Sequence, residues 1–505
     1  MKKWITTSAL LISMTLGVTS GPAFAQDGGT FKYADQVKLI TMDPQQHSGG
    51  GIPYLRPVYE SLFEMTPEGV PVPLLATGYE VDGLNVTITL RDDITFSNGE
   101  AFNAEVAAAN INRGVELGIL EGLKTVESAE AVDDYTFRIT LKEKDPAIII
   151  SLSYTGGMMI APAAMADPEL DRNPIGTGPY VYNIEESREG EVRVYTPNST
   201  YWDKGMIGLS RYEVWEIPDD TARLNALKTG QVDGGNWLSN PQAAIIDRSA
   251  DLHLIRGQAG LNYHVIISDR DGTIVPAFAD QRVRLAMAHA IDRTAFGTAI
   301  QFGLAENTYQ PYGEGSWAYE PSLEGVYAFD LDKARALMAE AGYADGFTFD
   351  MPSIPVYQSR LEALAGFFNE INITMNIVPV EPGTLARRSR TTDFPATNLV
   401  WNTNNDPKFL ALRYIYEDAA YNPFGTKPSD ELLSLALEGL ESVDTAVRGP
   451  VYRKMSEQLA EEAFLIFVTN TPILFGVTDQ TANNPSVEYR YGEDSINLRG
   501  LTANN

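Results

Sequence analysis

The side chains most capable of chemistry in this sequence are carboxylates and histidines, and their spacing does not favour catalysis. His47, His253, His264 and His289 are never four residues apart, the spacing that puts two imidazoles on one helical face for a metal. No HExxH, GxSxG or Walker-type sequence occurs. Two of the 67 acidic residues could still meet across a cleft as an acid–base pair. We expect no catalytic residue, no dedicated metal site and no cofactor.

One polar loop combines residue types that hold a small ligand. In LVWNTNNDPKF (399–409), two strand-like residues lead into Trp401, and the polar side chains of Asn402, Asn404 and Asp406 follow. An indole supplies stacking area, and converging polar groups fix the orientation of a ligand. An asparagine-rich loop after a strand is also a common turn. The pattern alone leaves both interpretations open.

Hydrophobic periodicity predicts a mixed α/β chain around this loop. Alternation of apolar and polar residues predicts strands at 86–90, 137–141 and 373–377. Spacings of three and four residues predict helices at 283–291 behind an N-cap at Asp280, at 334–341 before Gly342, and at 361–371. The third helix leads directly into a predicted strand, which is typical of α/β alternation.

The first residues predict export from the cytoplasm. Lys2 and Lys3 precede an apolar run at 9–18, and Ala23-Phe24-Ala25 provides small residues before a cut. The run is shorter than the roughly 20 residues that span a bilayer, so we expect residues 1–25 to be a cleaved Sec-type signal peptide. The sequence contains no cysteine, which excludes disulfides, thiol catalysis and a lipid-modified cysteine. We expect a periplasmic protein that is not a lipoprotein and is not inserted in a membrane.

The charge balance excludes several partners. The chain has 38 basic and 67 acidic side chains, a formal charge of −29, and loss of Lys2 and Lys3 makes the charge more negative. Such a surface repels nucleic acid phosphates and anionic headgroups. We expect no nucleic acid partner. The length is ample for two or more domains.

Six phrases, spread over nearly the whole chain, are its most specific feature. They read YESLFEMTPEGVPVPLLATGYEV (59–81), NPIGTGPY (173–180), YWDKG (201–205), PDDTARLNALKTGQVD (218–233), FADQRVRLAMAHAIDR (278–293) and FDLDKARALMAEAGY (329–343). In this order and spacing they resemble the bacterial extracellular solute-binding proteins of family 5, which serve peptide, opine and nickel ABC importers. The resemblance implies an α/β, two-lobed periplasmic-binding-protein fold of the large cluster C type, with a subdomain inserted in the first lobe.

The family's organisation also implies domain boundaries for this chain. The signal peptide occupies 1–25, the first lobe 26–58, 175–262 and 472–505, the inserted subdomain 59–174, and the second lobe 263–471. The chain would cross between lobes near 262–263 and again near 469–472.

The resemblance places the loop that begins at Trp401 in the ligand cleft. Peptide-binding members carry an aspartate three residues after this tryptophan, where it pairs with the α-ammonium of a peptide, whereas this chain has Asn404. An amide brings no negative charge, so a charge-assisted contact of roughly 1.5–3 kcal/mol would be missing. Asp406 could substitute only in a rearranged loop. We therefore predict that a free α-ammonium is not the main anchor of the ligand.

Other candidate contacts follow from the same resemblance. Those members hold a ligand carboxylate with an arginine just before the helix predicted at 360–371; the match falls near Gln358, and Arg360 requires a shift or is an ordinary helix-surface residue. The basic cluster at 387–390 suits an anion or simply solvent. The predicted ligand-binding residues are Trp401, Asn404, Asn402, Asp406, Arg360, Gln358, His47 and Tyr54 in HSGGGIPY (47–54), and Trp317 in GEGSWAY (313–319).

These features together predict a receptor of an ABC importer. It would capture a small peptide, an opine or another amino-acid-like polar solute between two hinged lobes, and deliver it to an inner-membrane permease as a monomer. The alternatives are an exported hydrolase that acts on a small polar substrate and a periplasmic peptide chaperone.

Overall fold

The computed structural model describes residues 28–47, 51–66, 69–236, 238–381, 384–402, 406–488 and 495–503. For residues 258, 259 and 401 it describes the backbone only. The predicted signal peptide and Asn404 lie outside these ranges.

Strands and helices are interspersed along the chain. The strands are β1 (Thr30–Asp35), β2 (Phe63–Met65), β3 (Pro71–Pro73), β4 (Ala76–Asp82), β5 (Asn85–Leu90), β6 (Val126–Ala131), β7 (Thr136–Leu141), β8 (Tyr180–Tyr182), β9 (Val192–Pro197), β10 (Arg211–Glu216), β11 (Gly234–Gly235), β12 (Leu252–Ile267), β13 (Glu306–Asn307), β14 (Phe347–Ser353), β15 (Ile373–Pro379), β16 (Ala396–Asn402) and β17 (Leu465–Thr478). The helices are α1 (Ile52–Leu55), α2 (Ala104–Leu117), α3 (Ile148–Ser151), α4 (Pro162–Met165), α5 (Asp220–Lys228), α6 (Asn240–Ile246), α7 (Gln281–Ala290), α8 (Arg293–Gln301), α9 (Leu331–Glu340), α10 (Gln358–Asn369), α11 (Leu385–Arg388), α12 (Lys408–Leu410), α13 (Asp430–Glu438), α14 (Thr445–Glu462) and α15 (Asp479–Ala482).

The elements predicted from periodicity are confirmed. The three predicted strands are β5, β7 and β15, and the three predicted helices are α7, α9 and α10. The side chain of Asp280 caps α7 by accepting a hydrogen bond from the Arg282 amide (2.8 Å). Gly342 follows α9 with a φ of 84°, a left-handed conformation that glycine adopts at little cost.

The described strands form one large sheet and three small ones. The large sheet has nine strands in the order β16-β12-β17-β11-β1-β10-β9-β8, with β13 also paired to β17. Strand β1 is parallel to β10 and β11, and the other pairs of this sheet are antiparallel. A separate antiparallel sheet has the order β4-β5-β7-β6, while β14 and β15 form a parallel pair and β2 and β3 an antiparallel pair.

Two long strands connect the halves of the molecule. In β12 and β17, residues 252–256 lie opposite 474–478, and residues 260–266 lie opposite 465–472, with a shift of register between the two stretches. We call β12 and β17 the crossing strands. Their pairing makes the large sheet continuous from one half to the other.

Buried apolar residues divide at these crossing strands. The first core contains residues from 31–214 and 473–501, and a smaller cluster beside it packs α5 and α6 near the crossing strands. The second core contains residues from 263–468. Each half therefore buries its own apolar surface, which is the main stabilising term of folding. The lobe boundaries given above remain a prediction.

The glycine-rich phrase at 173–180 is a structural turn. The Gly178 amide donates to the Val58 carbonyl (2.8 Å), and the Tyr180 amide donates to the Pro57 carbonyl (2.9 Å). A Cβ atom at Gly178 would lie 2.5 Å from the Pro57 oxygen and 2.6 Å from the Val58 carbonyl carbon. The two chain segments that flank residues 59–174 are thus held backbone to backbone.

Gly178→Ala tests this close approach. Because the methyl group would meet backbone atoms that cannot rotate away, we expect the free energy of unfolding to fall by about 1–3 kcal/mol. Denaturant unfolding followed by circular dichroism measures it. Gly366→Ala is the matched control, because Gly366 lies inside α10 with open space around its Cβ position. Alanine there should raise stability by about 0.5–1 kcal/mol. Equal effects of the two substitutions would show that the turn has room for a side chain.

Candidate ligand-binding site

The site forms where the parallel strands β14 and β15 end beside the crossing strands. Ser353 and Pro379 are the last paired residues of these two strands, so their chains leave the sheet at the same edge. Strand β16 lies next to β14, where the Asn398 side-chain amide donates to the Pro352 carbonyl (3.1 Å). Carboxyl ends of neighbouring parallel strands are the usual ligand position in α/β proteins.

Arg360 is the most distinctive cation at this edge. It lies in the first turn of α10, half-buried, with its guanidinium 5.1 Å from the ring centroid of Tyr263 and 5.5 Å from that of Tyr357. Within the described residues, no carboxylate forms an ion pair with it. The two aromatic faces stabilise the positive charge but leave the N–H donors of the guanidinium available to an anion.

Tyr263 adds a second donor beside Arg360. Its ring stacks on Phe296 (5.7 Å), and its hydroxyl is buried without a hydrogen-bond partner among the described residues. Burial raises the pKa of Tyr263, against the opposing charge of Arg360, so the hydroxyl remains protonated. A buried hydroxyl without a partner is costly. The Arg360 guanidinium beside it can donate to a carboxylate or a similar acceptor.

A concavity of about 690 Å³ extends the same edge beyond β15. Arg388 on its wall pairs with Asp393 (3.3 Å), whereas Arg387 has no acidic partner among the described residues. Of the same basic cluster, Arg390 donates to the Tyr421 hydroxyl (3.2 Å). The concavity is lined by Pro355, Pro379, Val380, Glu381, Thr384, Arg387 and Arg388.

Three other predicted residues lie close to this edge. Gln358 begins α10; its side-chain oxygen accepts from Ser353 (3.3 Å), and its amide donates to Glu362 (2.9 Å). Asn402 ends β16 opposite Leu261, and the backbone of Trp401 pairs with Asn262. Gln358, Arg360 and the end of β16 are therefore brought together, and Asn404 would continue from β16 outside the described residues.

Asp406 has a different environment from the one predicted. Its two carboxylate oxygens accept from Arg448 at 2.7 and 2.8 Å, and the side chains of the pair are 0% and 1% exposed. Burial alone would lower the pKa of Arg448. The negative charge and hydrogen bonds of Asp406 together have a larger effect, so the pKa of Arg448 is raised. Because both oxygens are occupied, we exclude Asp406 from the proposed ligand contacts. It fixes the chain at the start of the described range 406–488 instead.

Trp317, His47 and Tyr54 are built into the packing. The Trp317 ring lies against Tyr452 (centroids 5.9 Å apart) and under the Arg448 guanidinium (5.2 Å). His47 is buried, and a Cβ at Gly51 would lie 3.0 Å from its imidazole. Tyr54 is buried and donates to the Val37 carbonyl (3.1 Å). His47 and Tyr54 lie in the first half of the molecule. Tyr54 belongs to the first core, whereas the buried residues of α10 belong to the second core.

The remaining histidines do not form a metal site in the described part of the chain. His264 is buried against Tyr414 and Phe467, and burial lowers its pKa to about 4. His289 contacts the Ala328 carbonyl through Nδ1 (2.9 Å), in keeping with the packing role expected from its helix. In the described part of the chain, no group of three or more His, Asp or Glu side chains is placed to hold a metal ion. No described helix is both long and apolar enough to cross a bilayer.

Sequence reasoning missed the aromatic partners of Arg360. The sequence predicts a chain crossing near 262–263 but no role for Tyr263 or Tyr357. The available signal was an arginine three residues after a tyrosine, which places both on one side of a helix start. The contact with Tyr263 joins residues 97 positions apart and has no local signature.

Comparison with known proteins identifies relatives. The model of the bacterial extracellular solute-binding proteins, family 5 Middle, matches residues 70–422. The glutathione-binding protein GsiB of Pectobacterium atrosepticum is 25% identical over 433 residues, which cover 81% of this chain and 82% of that protein. The glutathione-binding protein GsiB of Salmonella typhi is 29% identical over 301 residues, 57% of each chain.

Solved structures share the fold. HbpA2 from Haemophilus parasuis superposes with a TM-score of 0.83 at 21% identity, over 94% of this chain and 100% of that one. The ABC transporter-associated periplasmic binding protein DppA from Helicobacter pylori, in complex with peptide STSA, gives a TM-score of 0.70 at 20% identity, over 94% and 98%. The predicted α/β, two-lobed periplasmic-binding-protein fold is confirmed.

Arg448→Met tests whether Asp406 is a structural anchor. The substitution leaves a buried carboxylate without its partner, so the free energy of unfolding should fall by about 3–5 kcal/mol. Arg335→Met is the control: Arg335 pairs with Glu370 at 3.3 Å, both about half exposed, and such a pair contributes less than about 1 kcal/mol. Denaturant unfolding of both variants gives the comparison. A similar small loss in both would return Asp406 to the candidate ligand contacts.

Proposed function

Because the chain belongs to the bacterial extracellular solute-binding proteins of family 5, we propose that it is the periplasmic receptor of an ABC importer and that its ligand carries a carboxylate held by Arg360. The observation that carries the proposal is the position of Arg360. It is half-buried between two tyrosine rings at the edge where the strands of the second core end, and no described carboxylate pairs with it.

The environment of Arg360 gives this observation its weight. Acidic side chains outnumber basic ones by 67 to 38, and none of those described pairs with this half-buried arginine. Partial burial of a cation costs free energy unless an anion compensates for it. A ligand carboxylate can accept two parallel hydrogen bonds from a guanidinium.

The ligand class follows from this chemistry and from the relatives. One relative is named as a glutathione-binding protein, and one solved structure holds a peptide; both ligands carry carboxylates. We propose a small peptide, an opine or another amino-acid-like solute. Trp401, Asn402 and Asn404 are its proposed polar and aromatic wall, and Asn404 provides no charge for an ammonium group.

The rest of the proposal concerns the protein's setting. The receptor is exported with cleavage of residues 1–25, is not a lipoprotein, works as a monomer and passes its ligand to an inner-membrane permease. It binds no nucleic acid and catalyses no reaction. The relatives support binding rather than catalysis, because the names that identify them are those of binding proteins.

Arg360→Gln should weaken binding of a carboxylate ligand. With glutathione as the probe, loss of a charge-assisted contact of roughly 1.5–3 kcal/mol corresponds to a rise in Kd of about tenfold or more. Arg335→Gln, an exposed arginine on the neighbouring helix α9, is the control and should leave Kd unchanged. Isothermal titration calorimetry of the chain without residues 1–25 measures both.

The groups of the probe can be tested separately. Esterification of the glutathione carboxylates should weaken binding to the native protein, and N-acetylation should weaken it much less, because Asn404 carries no charge. Greater sensitivity to acetylation would contradict the proposed anchor. Consumption of glutathione during incubation would favour the hydrolase, and preference for an unfolded polypeptide over small solutes would favour the chaperone.

Trp401→Ala tests the other side of the proposed site. Loss of an aromatic stacking surface should remove most of the thermal stabilisation that glutathione confers, because a ligand that binds only the native state raises apparent stability. The melting temperature without glutathione should change little. Unchanged affinity in this variant would remove Trp401 from the site.

A further inference from the structure

A loop of the four-stranded sheet reaches across to the second core. Residues 142–147, which follow β7, are called the docking loop here. The Lys408 ammonium donates to the Asp145 carboxylate, and the side chains of this pair are 9% and 1% exposed. The two residues are 263 positions apart in the chain. A buried ion pair thus joins the four-stranded sheet to the start of α12.

The two partners differ in what else satisfies them. Asp145 also accepts hydrogen bonds from the Thr125 hydroxyl (2.5 Å) and the Ala147 amide (2.9 Å), both near the same sheet. Lys408 has the ring of Phe409 5.1 Å away and, among the described residues, no carboxylate other than Asp145. Without Asp145, this contact would leave a buried ammonium group without a charge partner.

The position of Lys408 is fixed by Asp406, two residues before it. The Asp406 carboxylate accepts from the Lys408 amide (2.9 Å) while it holds Arg448 in two hydrogen bonds. Arg448 also donates to the carbonyl of Pro146, next to Asp145 (3.3 Å). Asp406, four residues after the end of β16, therefore belongs to the same network that holds the docking loop.

We propose that Asp145 and Lys408 form a latch that holds the four-stranded sheet against the second core. Asp406 and Arg448 are positioning residues that connect the latch to the proposed ligand contacts at the end of β16. The connection to the ligand rests on the proposed function. Opening would expose both charges to water, and closing buries them as a pair. Because residues 406–408 follow the end of β16 and carry the latch lysine, a ligand that contacts the end of β16 in the closed form also favours the closed latch.

A neighbouring pair supplies an internal control. Lys144 and Glu441 bridge the same two parts of the molecule at 2.5 Å, with side chains 52% and 64% exposed. Exposed pairs contribute little because water and salt screen them. The latch therefore predicts that Asp145 matters and that adjacent Lys144 does not.

The chain suits a distance measurement because it contains no cysteine. Glu127 on β6 and Glu431 on α13 are both exposed, and cysteines placed there would carry spin labels on either side of the latch. Electron paramagnetic resonance would then give the distance distribution without any ligand. The labelled full chain would be compared with the same chain carrying Asp145→Asn, Lys408→Met, both substitutions, or Lys144→Met.

The expected result is a short-distance population that matches the structure and shrinks in Asp145→Asn. Since that substitution leaves Lys408 buried and unpaired, the ratio of closed to open molecules should fall by about tenfold. The double variant should recover most of the closed population, because methionine is an apolar replacement for the lysine stem. Lys144→Met should match the unsubstituted chain. Circular dichroism confirms that each variant is folded.

Two results would overturn the latch: no short-distance population in the unsubstituted chain, or the same population in Asp145→Asn. A double variant as open as Asp145→Asn would show that the effect is not specific to the pair. These outcomes are independent of the proposed function, which fails instead if glutathione and other carboxylate solutes do not bind. Should they bind, Kd for glutathione should rise in Asp145→Asn and stay unchanged in Lys144→Met.

Discussion

The pairing of β12 with β17 is the constraint on which the rest of the structure depends. These strands run side by side through both halves of the molecule, and the large sheet continues across them. Backbone hydrogen bonds of a buried ladder are costly to leave unmade, so the two halves cannot separate there. The register shift between Arg256 and Gly260 interrupts the ladder where the two cores divide.

Three arginines of this chain differ in what satisfies them. Arg293 is fully buried without an acid and donates instead to backbone carbonyls, including that of Phe467 (2.8 and 3.0 Å); burial lowers its pKa to about 10. Arg448 is buried in a bidentate pair with Asp406. Arg360 has neither kind of partner among the described residues. Arg293 holds the fold together, Arg448 fixes the chain at Asp406, and Arg360 has donors to offer a ligand.

Sequence alone gave the elements and the family but not the pairings that define the site. Strands β5 and β15 follow from alternation of apolar and polar residues, which is visible within a few consecutive residues. The phrases at 59–343 carry the family resemblance. Asp406 was assigned to the ligand because a carboxylate in a polar loop looks available. Its partner lies 42 residues further along, in a helix whose sequence gives no sign of the contact. Long-range pairs of this kind depend on packing and not on local propensity.

The acidic exterior and the cationic cleft act over different distances. Charges on the surface are screened beyond about 8–10 Å at physiological salt, so they influence the approach of an anionic solute more than its final contacts. Arg360 acts within hydrogen-bond range in a partly dry environment, where a charged contact is stronger than in water. The exterior therefore slows encounter with an anion, while the cleft sets how long it stays. If the ligand is the carboxylate solute proposed above, selectivity for it in so acidic a chain arises mainly at the edge where β14 and β16 end.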